Sequence, residues 1–148
     1  MNIQKFNIRV YGLAIWQGKI LLADEILQGK KVTKFPGGGL EFGEGMLECL
    51  HREFQEELNT EIENLKLFYV TDFFQQSSFN PTHQVICAYY TCQIKTPKSL
   101  KVATKKFDFK EEVERAESFR WQNLSTLKVE DFYFPTDKVL AAKLLAEI

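Results

Sequence analysis

Cysteine is scarce in this chain, and what there is lacks a pattern. Cys49, Cys87 and Cys92 are odd in number and show no C-x-x-C spacing, which argues against a zinc module and a disulfide framework. No apolar run reaches the length of a membrane span. The opening residues, MNIQKFNIRV, lack a signal peptide's apolar core. A reduced cytoplasm is therefore the expected compartment. Charge of one sign is missing too: 19 Lys and Arg face 20 Asp and Glu, a net charge of −1. That balance offers no broad attraction to polymeric nucleic acid. There is no internal repeat, low-complexity tract or linker. With 148 residues and 45% apolar content, one domain over 1–148 is expected, large enough for a real core. Aromatics are plentiful at 14%, led by thirteen Phe, which leaves room for a homodimer.

One stretch organises the rest: FPGGGLEFGEGMLECLHREFQEELNTEI, from Phe35 to Ile62. Its glycine cluster lets a backbone approach a ligand closely. Gly43, Glu44 and Gly45 mark the start of a helix, with Glu44 near its positive end. From Met46 onward Leu47, Leu50, Phe54 and Leu58 recur at helical spacing. At about 100° per residue, Glu53, Glu56 and Glu57 share the neighbouring sector. Two unit charges about 6 Å apart repel by roughly 3 kcal/mol at an effective dielectric of about 20. Hard divalent cations with oxygen ligands would offset that repulsion. The plainer alternative is a solvated acidic face on which Arg52 pairs with Glu48 and Glu56. Cys49 falls in the carboxylate sector and reads as small filler.

The spacing Gly38-x5-Glu44-x7-Arg52-Glu53-Phe54-Gln55-Glu56-Glu57 resembles the signature of the Nudix hydrolases, which cleave nucleoside diphosphates linked to another moiety. The resemblance implies that Glu53, Glu56 and Glu57 hold Mg²⁺ or Mn²⁺, with the Gly37 carbonyl as a further ligand. It implies that Arg52 and Glu44 pair and brace the glycine loop against the helix. Three positions depart from the family pattern. Asn59 stands where the family has Gly, Thr60 where it has an apolar residue, and Phe54 where an aliphatic one is usual. Asn59 suits a left-handed helix end, Thr60 can begin a strand, and Phe54 needs a wider pocket. The family's subgroup markers are absent: Gln75, Gln76 and Ser77 stand where a Pro or Tyr would assign a substrate.

Ile8 to Trp16 reads as a strand, turning at Gln17-Gly18 into Lys19 to Ala23. Asp24 to Lys34 is polar, contains Gly29 and reads as a loop. Glu61 to Phe74 is extended, with Leu65, Leu67 and Tyr69 alternating. FFQQSSFN, 73–80, reads as a loop tip, and His83 as a loop residue. Gln84 to Ile94 is nearly continuous in apolar residues and should be a strand covered on both faces. Lys95 to Lys110 holds six lysines and reads as solubilising. Ser118 to Gln122 is a short strand, and Asn123 to Leu127 a capped turn. Pro135-Thr136 should open a last helix, with Thr136 as cap and Val139, Leu140, Leu144 and Leu145 inward. Strands around two helices predict an α/β fold, layered α/β/α with a mixed β-sheet. That is also the sandwich the Nudix resemblance implies.

The implied reaction is attack of water on a diphosphate phosphorus. A carboxylate within hydrogen-bond reach would take the proton, either one of the helical glutamates or one of Glu111, Glu112 and Glu114; the sequence does not choose. The glycines, including Gly38 and Gly39, and the aromatics Phe73, Phe74 and Phe79 are the candidate substrate contacts, the latter by base stacking. Arg9 and Arg120 are candidates to reach the ligand, with a place on the surface or rim as the plainer reading. The partner expected is a small nucleotide or nucleoside diphosphate derivative, with no polymeric nucleic acid and no membrane. A non-catalytic nucleotide sensor on the same fold is the alternative. An RNA-end pyrophosphohydrolase shares the metal chemistry but suits the near-neutral charge less well.

Overall fold

Strand β1, Lys5–Trp16, divides the molecule into two faces. Tyr11 and Leu13 point into one core, Val10 and Ala14 into the other, as alternate residues of a strand must. In this computed structural model residues 2–148 are described. β1 turns at Gln17 and Gly18, with φ of 50° and 74°, into β2, Lys19–Leu27. Paired positive φ values match the right-handed twist of the flanking strands. The same device recurs at Gln28 and Gly29, φ 49° and 75°, and leads into β3, Lys30–Lys34. The loop expected over Asp24 to Lys34 is therefore a second hairpin. Its polar residues do not face solvent as those of a loop would: Asp24, Glu25 and Lys34 are all buried in the strands.

β4, Gly37–Gly39, pairs antiparallel with β1. Helix α1 is Met46–Leu58, followed by β5, Ile62–Val70, β6, His83–Ile94, β7, Glu117–Asn123, and helix α2, Pro135–Ala146. β1 and β6 run parallel from Lys5↔His83 to Ala14↔Cys92. Every other named pair is antiparallel, so the sheet is mixed. Its order is β3-β2-β1-β6-β5, with β4 attached to β1 and β7 to β2. α1 covers one face through Cys49, Leu50 and Phe54. α2 covers the other through Leu140, Ala141 and Leu144, which meet Tyr11, Leu13 and Tyr89. The result is the α/β/α sandwich, with β6 buried on both sides.

Several local expectations are corrected. Leu47 is 46% exposed rather than inward, while its neighbour Met46 packs on the core beside Tyr90. Leu65, Leu67 and Tyr69 do not alternate cleanly. Register shifts between Glu63 and Lys66 and between Leu67 and Tyr69 break the period, leaving Leu67 exposed. Thr136 does not cap α2; Phe134 holds that place with no side-chain bond, Pro135 follows, and Thr136 is buried. Asn123 likewise makes no side-chain cap for the short turn at Leu124–Thr126. His83 begins β6. Asn59 ends α1 in the left-handed region at φ 48°, ψ 47°, which Asn tolerates through local hydrogen bonding, here by accepting from Gln55 Nε2 at 2.8 Å. Among the described residues no helix is long and apolar enough to cross a membrane.

Candidate functional site

The site forms where β4 lies between β1 and α1. Gly37 has a φ of 146°, which side-chain-bearing residues rarely adopt. A Cβ there would stand 2.1 Å from the Val10 carbonyl oxygen. At Gly38 the obstacle is functional: a Cβ would stand 2.4 to 2.7 Å from the Glu53 carboxylate atoms. The missing side chain is what allows Glu53 to lie against the backbone of β4.

Arg52 ties this strand to the helix. Its Nε donates to Glu44 Oε2 at 2.9 Å and its Nη2 to Glu44 Oε1 at 2.7 Å, a bidentate pair. Nη2 also donates to the Gly39 carbonyl at 3.1 Å, and Nη1 donates to Glu53 at 2.9 Å and Glu56 at 3.3 Å. Arg52 therefore pairs with Glu56 but not Glu48, which instead accepts the Gly45 N–H at 2.9 Å. Hydrogen bonds from Arg52 and from the Glu41 N–H hold the Glu44 carboxyl down at about 2. Fork-to-fork geometry of this kind fixes orientation as well as supplying energy. Cys49 is buried beneath it, its Sγ 3.5 Å from the Gly39 oxygen.

The helical carboxylates are held differently. Glu53 is mostly enclosed, while Glu56 is 60% exposed and drawn toward Arg52. Glu57 is pushed up to about 9, first by burial, then by the charge of Glu117 and by its bond with Glu53. Glu117 is itself pushed up to about 7, by desolvation of its carboxyl and then by Glu25, its direct partner across β2 and β7. Among the described residues no three His, Cys, Asp or Glu side chains converge into a ready-made ion cage. The donors nevertheless suit a hard divalent cation. They are all carboxylate or carbonyl oxygens, they repel one another, and the strand beside them is stripped of side chains.

Glu117 and Glu25 were not among the sequence-derived candidates, yet a signal existed. Leu21, Ala23 and Glu25 share one strand face, as do Phe119, Trp121 and Glu117, and the apolar members of both sets pack on the α1 side. An acid in phase with inward residues is out of place unless it has a task. The candidates Glu111, Glu112 and Glu114 lie elsewhere. Glu114 accepts the N–H groups of Gln28 at 2.6 Å and Gly29 at 3.0 Å, so it braces the second hairpin turn. Glu112 pairs with Lys31 at 2.5 Å, and Glu111 lines a separate shallow groove with Phe109 and Lys110.

Beside the glycine strand opens a cavity of about 380 Å³, reached by Arg9, Lys34, Phe79, His83, Glu114 and Phe134, among others. Of the three candidate stacking residues only Phe79 lines it. Phe79 packs parallel to Tyr133, with centroids 6.0 Å apart, and edge-on to Phe134. Phe73 and Phe74 lie outside it, Phe74 half exposed. The two arginines read as rim residues are corrected as well. Arg120 is buried and donates to Asp24 at 2.7 Å through Nε. Arg9 is part-buried and faces the cavity.

Comparison with known proteins agrees with this fold. The model of the NUDIX domain family matches residues 5–143. A MutT NUDIX hydrolase from Burkholderia pseudomallei is 17% identical, covering 95% of this chain and 99% of that one, with a TM-score of 0.69. A NUDIX hydrolase from Nitrosomonas europaea is 19% identical over 95% and 89% of the two chains, also with a TM-score of 0.69. An ADP-ribose pyrophosphatase from Streptococcus suis is 15% identical over 95% and 90%, with a TM-score of 0.60. At these identities the likeness speaks for the fold alone.

Proposed function

The chain belongs to the NUDIX domain family as a Nudix hydrolase, and we propose that it cleaves a diphosphate linkage in a small nucleotide or nucleoside diphosphate derivative by attack of water, with a divalent metal ion. The observation that carries this reading is the contact of Glu53 with the side-chain-free edge at Gly38, beside carboxylates too crowded to ionise together.

Glu53, Glu56, Glu57 and the Gly37 carbonyl would hold Mg²⁺ or Mn²⁺. When bound there, the ion would neutralise phosphate charge and lower the pKa of water. Arg52 and Glu44 keep β4 and α1 in register, so that the carbonyls and carboxylates face one space. The water proton passes to a carboxylate within reach; Glu53 and Glu117 are the acceptors in the cluster, in place of Glu111, Glu112 and Glu114. The bond between phosphorus and the bridging oxygen breaks, and the bridging oxygen leaves with the departing phosphate. The nucleoside end is assigned to the cavity, with Phe79 as stacking face. A reduced cytoplasm suits its three free, buried cysteines. A homodimer belongs to the same reading, with light scattering as its test.

The experiment is a panel of nucleoside triphosphates, ADP-ribose, dinucleotides and nucleotide sugars, with and without Mg²⁺, products separated by chromatography. Turnover of at least one class only with Mg²⁺ is expected. Failure of every member, or turnover indifferent to chelator, would contradict the reading.

A further inference from the structure

We propose that Arg9 is an anion clamp that holds a phosphoryl group at the inner end of the cavity without help from a metal ion. The proposal rests on the hydrolase reading only in taking the anion to be phosphate.

Arg9 sits mid-strand on β1 with its side chain in the cavity. Its Nε donates to the Tyr11 hydroxyl at 2.8 Å, and the guanidinium carbon lies 5.7 Å from the centre of that ring. None of the ion pairs among the described residues includes Arg9. Its Nη1 and Nη2 donate to no protein group there either. A sheltered arginine is ordinarily paired with an acid. The neighbouring cation shows the contrast. Lys34, 5% exposed, lies 5.8 Å from the same tyrosine ring but has Glu25 at 3.4 Å. Arg115 reaches Glu25 too, at 3.6 Å. Glu114, the other acid on the cavity wall, is committed to the turn N–H groups. Arg9 is left with a planar fork of donors and no anion in ion-pair contact, the charge of Glu53 reaching it only through space.

The fork is held in place. Tyr11 stacks on Tyr89 at 5.4 Å, and the Tyr89 hydroxyl donates to Asp137 at 2.7 Å. Room for a ligand is built in as well. A Cβ at Gly39 would stand 3.5 Å from Arg9 Nη1, and at the next glycine, Gly38, a Cβ would meet Glu53. Adjacent residues of one strand present opposite faces, so Arg9 stands one residue along β4 from Glu53 and against its other face. Arginine's fork matches phosphate oxygens two at a time. Beyond Arg9 the wall is neutral at Gln75, Gln76, Ser77 and Asn80, beside Phe79 and Phe134. That end suits an uncharged nucleoside, so the clamp would hold the phosphate retained on the nucleoside half.

The test is calorimetric titration of the whole protein with inorganic pyrophosphate at low ionic strength in excess EDTA. Saturable binding to wild type is expected. Arg9→Gln should weaken it about tenfold or more, as loss of charge-assisted hydrogen bonds does. Lys98→Gln, the same charge change on the exposed turn at Pro97–Ser99, should leave it within about twofold. Arg9→Lys keeps the charge without the fork and should fall between. No binding by wild type in EDTA, or equal losses in Arg9→Gln and Lys98→Gln, would overturn the clamp. If Arg9→Gln does not melt cooperatively, Arg9→Lys decides, and wild-type affinity in that variant overturns the proposal. Turnover with Mg²⁺ is read separately. Turnover without binding in EDTA removes the clamp alone; binding in EDTA without turnover of any panel member removes the hydrolase reading and leaves the clamp.

Discussion

Gly12 on β1 and Phe54 on α1 fit together where the helix packs on the sheet. A Cβ at Gly12 would stand 2.7 Å from both Cε1 and Cζ of the phenyl ring, while Phe54 itself is 1% exposed. The wide pocket that an aromatic needs at this helical position is supplied by a missing side chain on the facing strand. Gly12→Ala should therefore destabilise the protein by about 1–3 kcal/mol, the usual range for overpacking. In the Phe54→Leu background the same change should cost much less, a coupling that a double-mutant cycle in urea would read. Equal costs in both backgrounds would show that the two residues do not share the space.

The Arg52–Glu44 pair makes a prediction about pH. The Glu44 carboxyl is depressed to about 2 in the folded protein, against about 4.3 for an unperturbed glutamate. Its contribution to stability is therefore present above about 4.3 and is lost as pH falls through about 2. Carbon-detected NMR titration should place this carboxyl well below the other glutamates. In Arg52→Gln it should return toward the ordinary range. A Glu44 that titrates normally in the wild type would mean that the brace is absent in solution.

Asp137 behaves in the opposite sense. It is 1% exposed, accepts from Tyr89, leaves Oδ2 without a partner, and is pushed up to about 6 by burial. Its folded pKa is raised, so the folded state binds the proton more tightly. Wild-type stability relative to Asp137→Asn should then fall as pH rises from about 4 to about 6 and level off above. The total is on the order of 2–3 kcal/mol. Thermal melts of the two proteins across that range test it, and a constant difference would contradict the assignment.

Much of this architecture was legible in the chain. The glycine cluster, the start of α1, its carboxylates and the left-handed Asn59 all follow from local spacing and backbone preference, whereas the pairing that makes the expected glycine loop a strand, β4 on β1, does not. What was not legible depends on contacts distant in sequence. Asp24 looks like a loop residue until Arg120, arriving from β7, neutralises it inside the sheet. Leu67 looks inward until bulges in β5 turn it out. Arg9 reads as a rim residue because nothing local shows that Tyr11 and the glycine edge will enclose it. Glu117 joins the carboxylates only because β7 pairs with β2.

Glu57 carries a trade between stability and function. Burial and its acidic neighbours raise it to about 9, so the metal-free protein loses stability as pH climbs from about 4.3 toward 9. Glu57→Gln should therefore melt higher than wild type at neutral pH without divalent ions. Added Mg²⁺ should raise the melting temperature of the wild type and leave the variant unmoved. Turnover by the variant should drop roughly 10²–10³-fold, the range for loss of one electrostatic stabiliser. Unchanged turnover would remove Glu57 from the site.

Anomalous diffraction from a crystal soaked in Mn²⁺ addresses the metal centre itself. The account predicts anomalous density between the Gly37 carbonyl and the carboxylates of Glu53, Glu56 and Glu57, with Glu56 swung inward from Arg52. Those side chains left as they stand, with no manganese between them and the glycine strand, would contradict it.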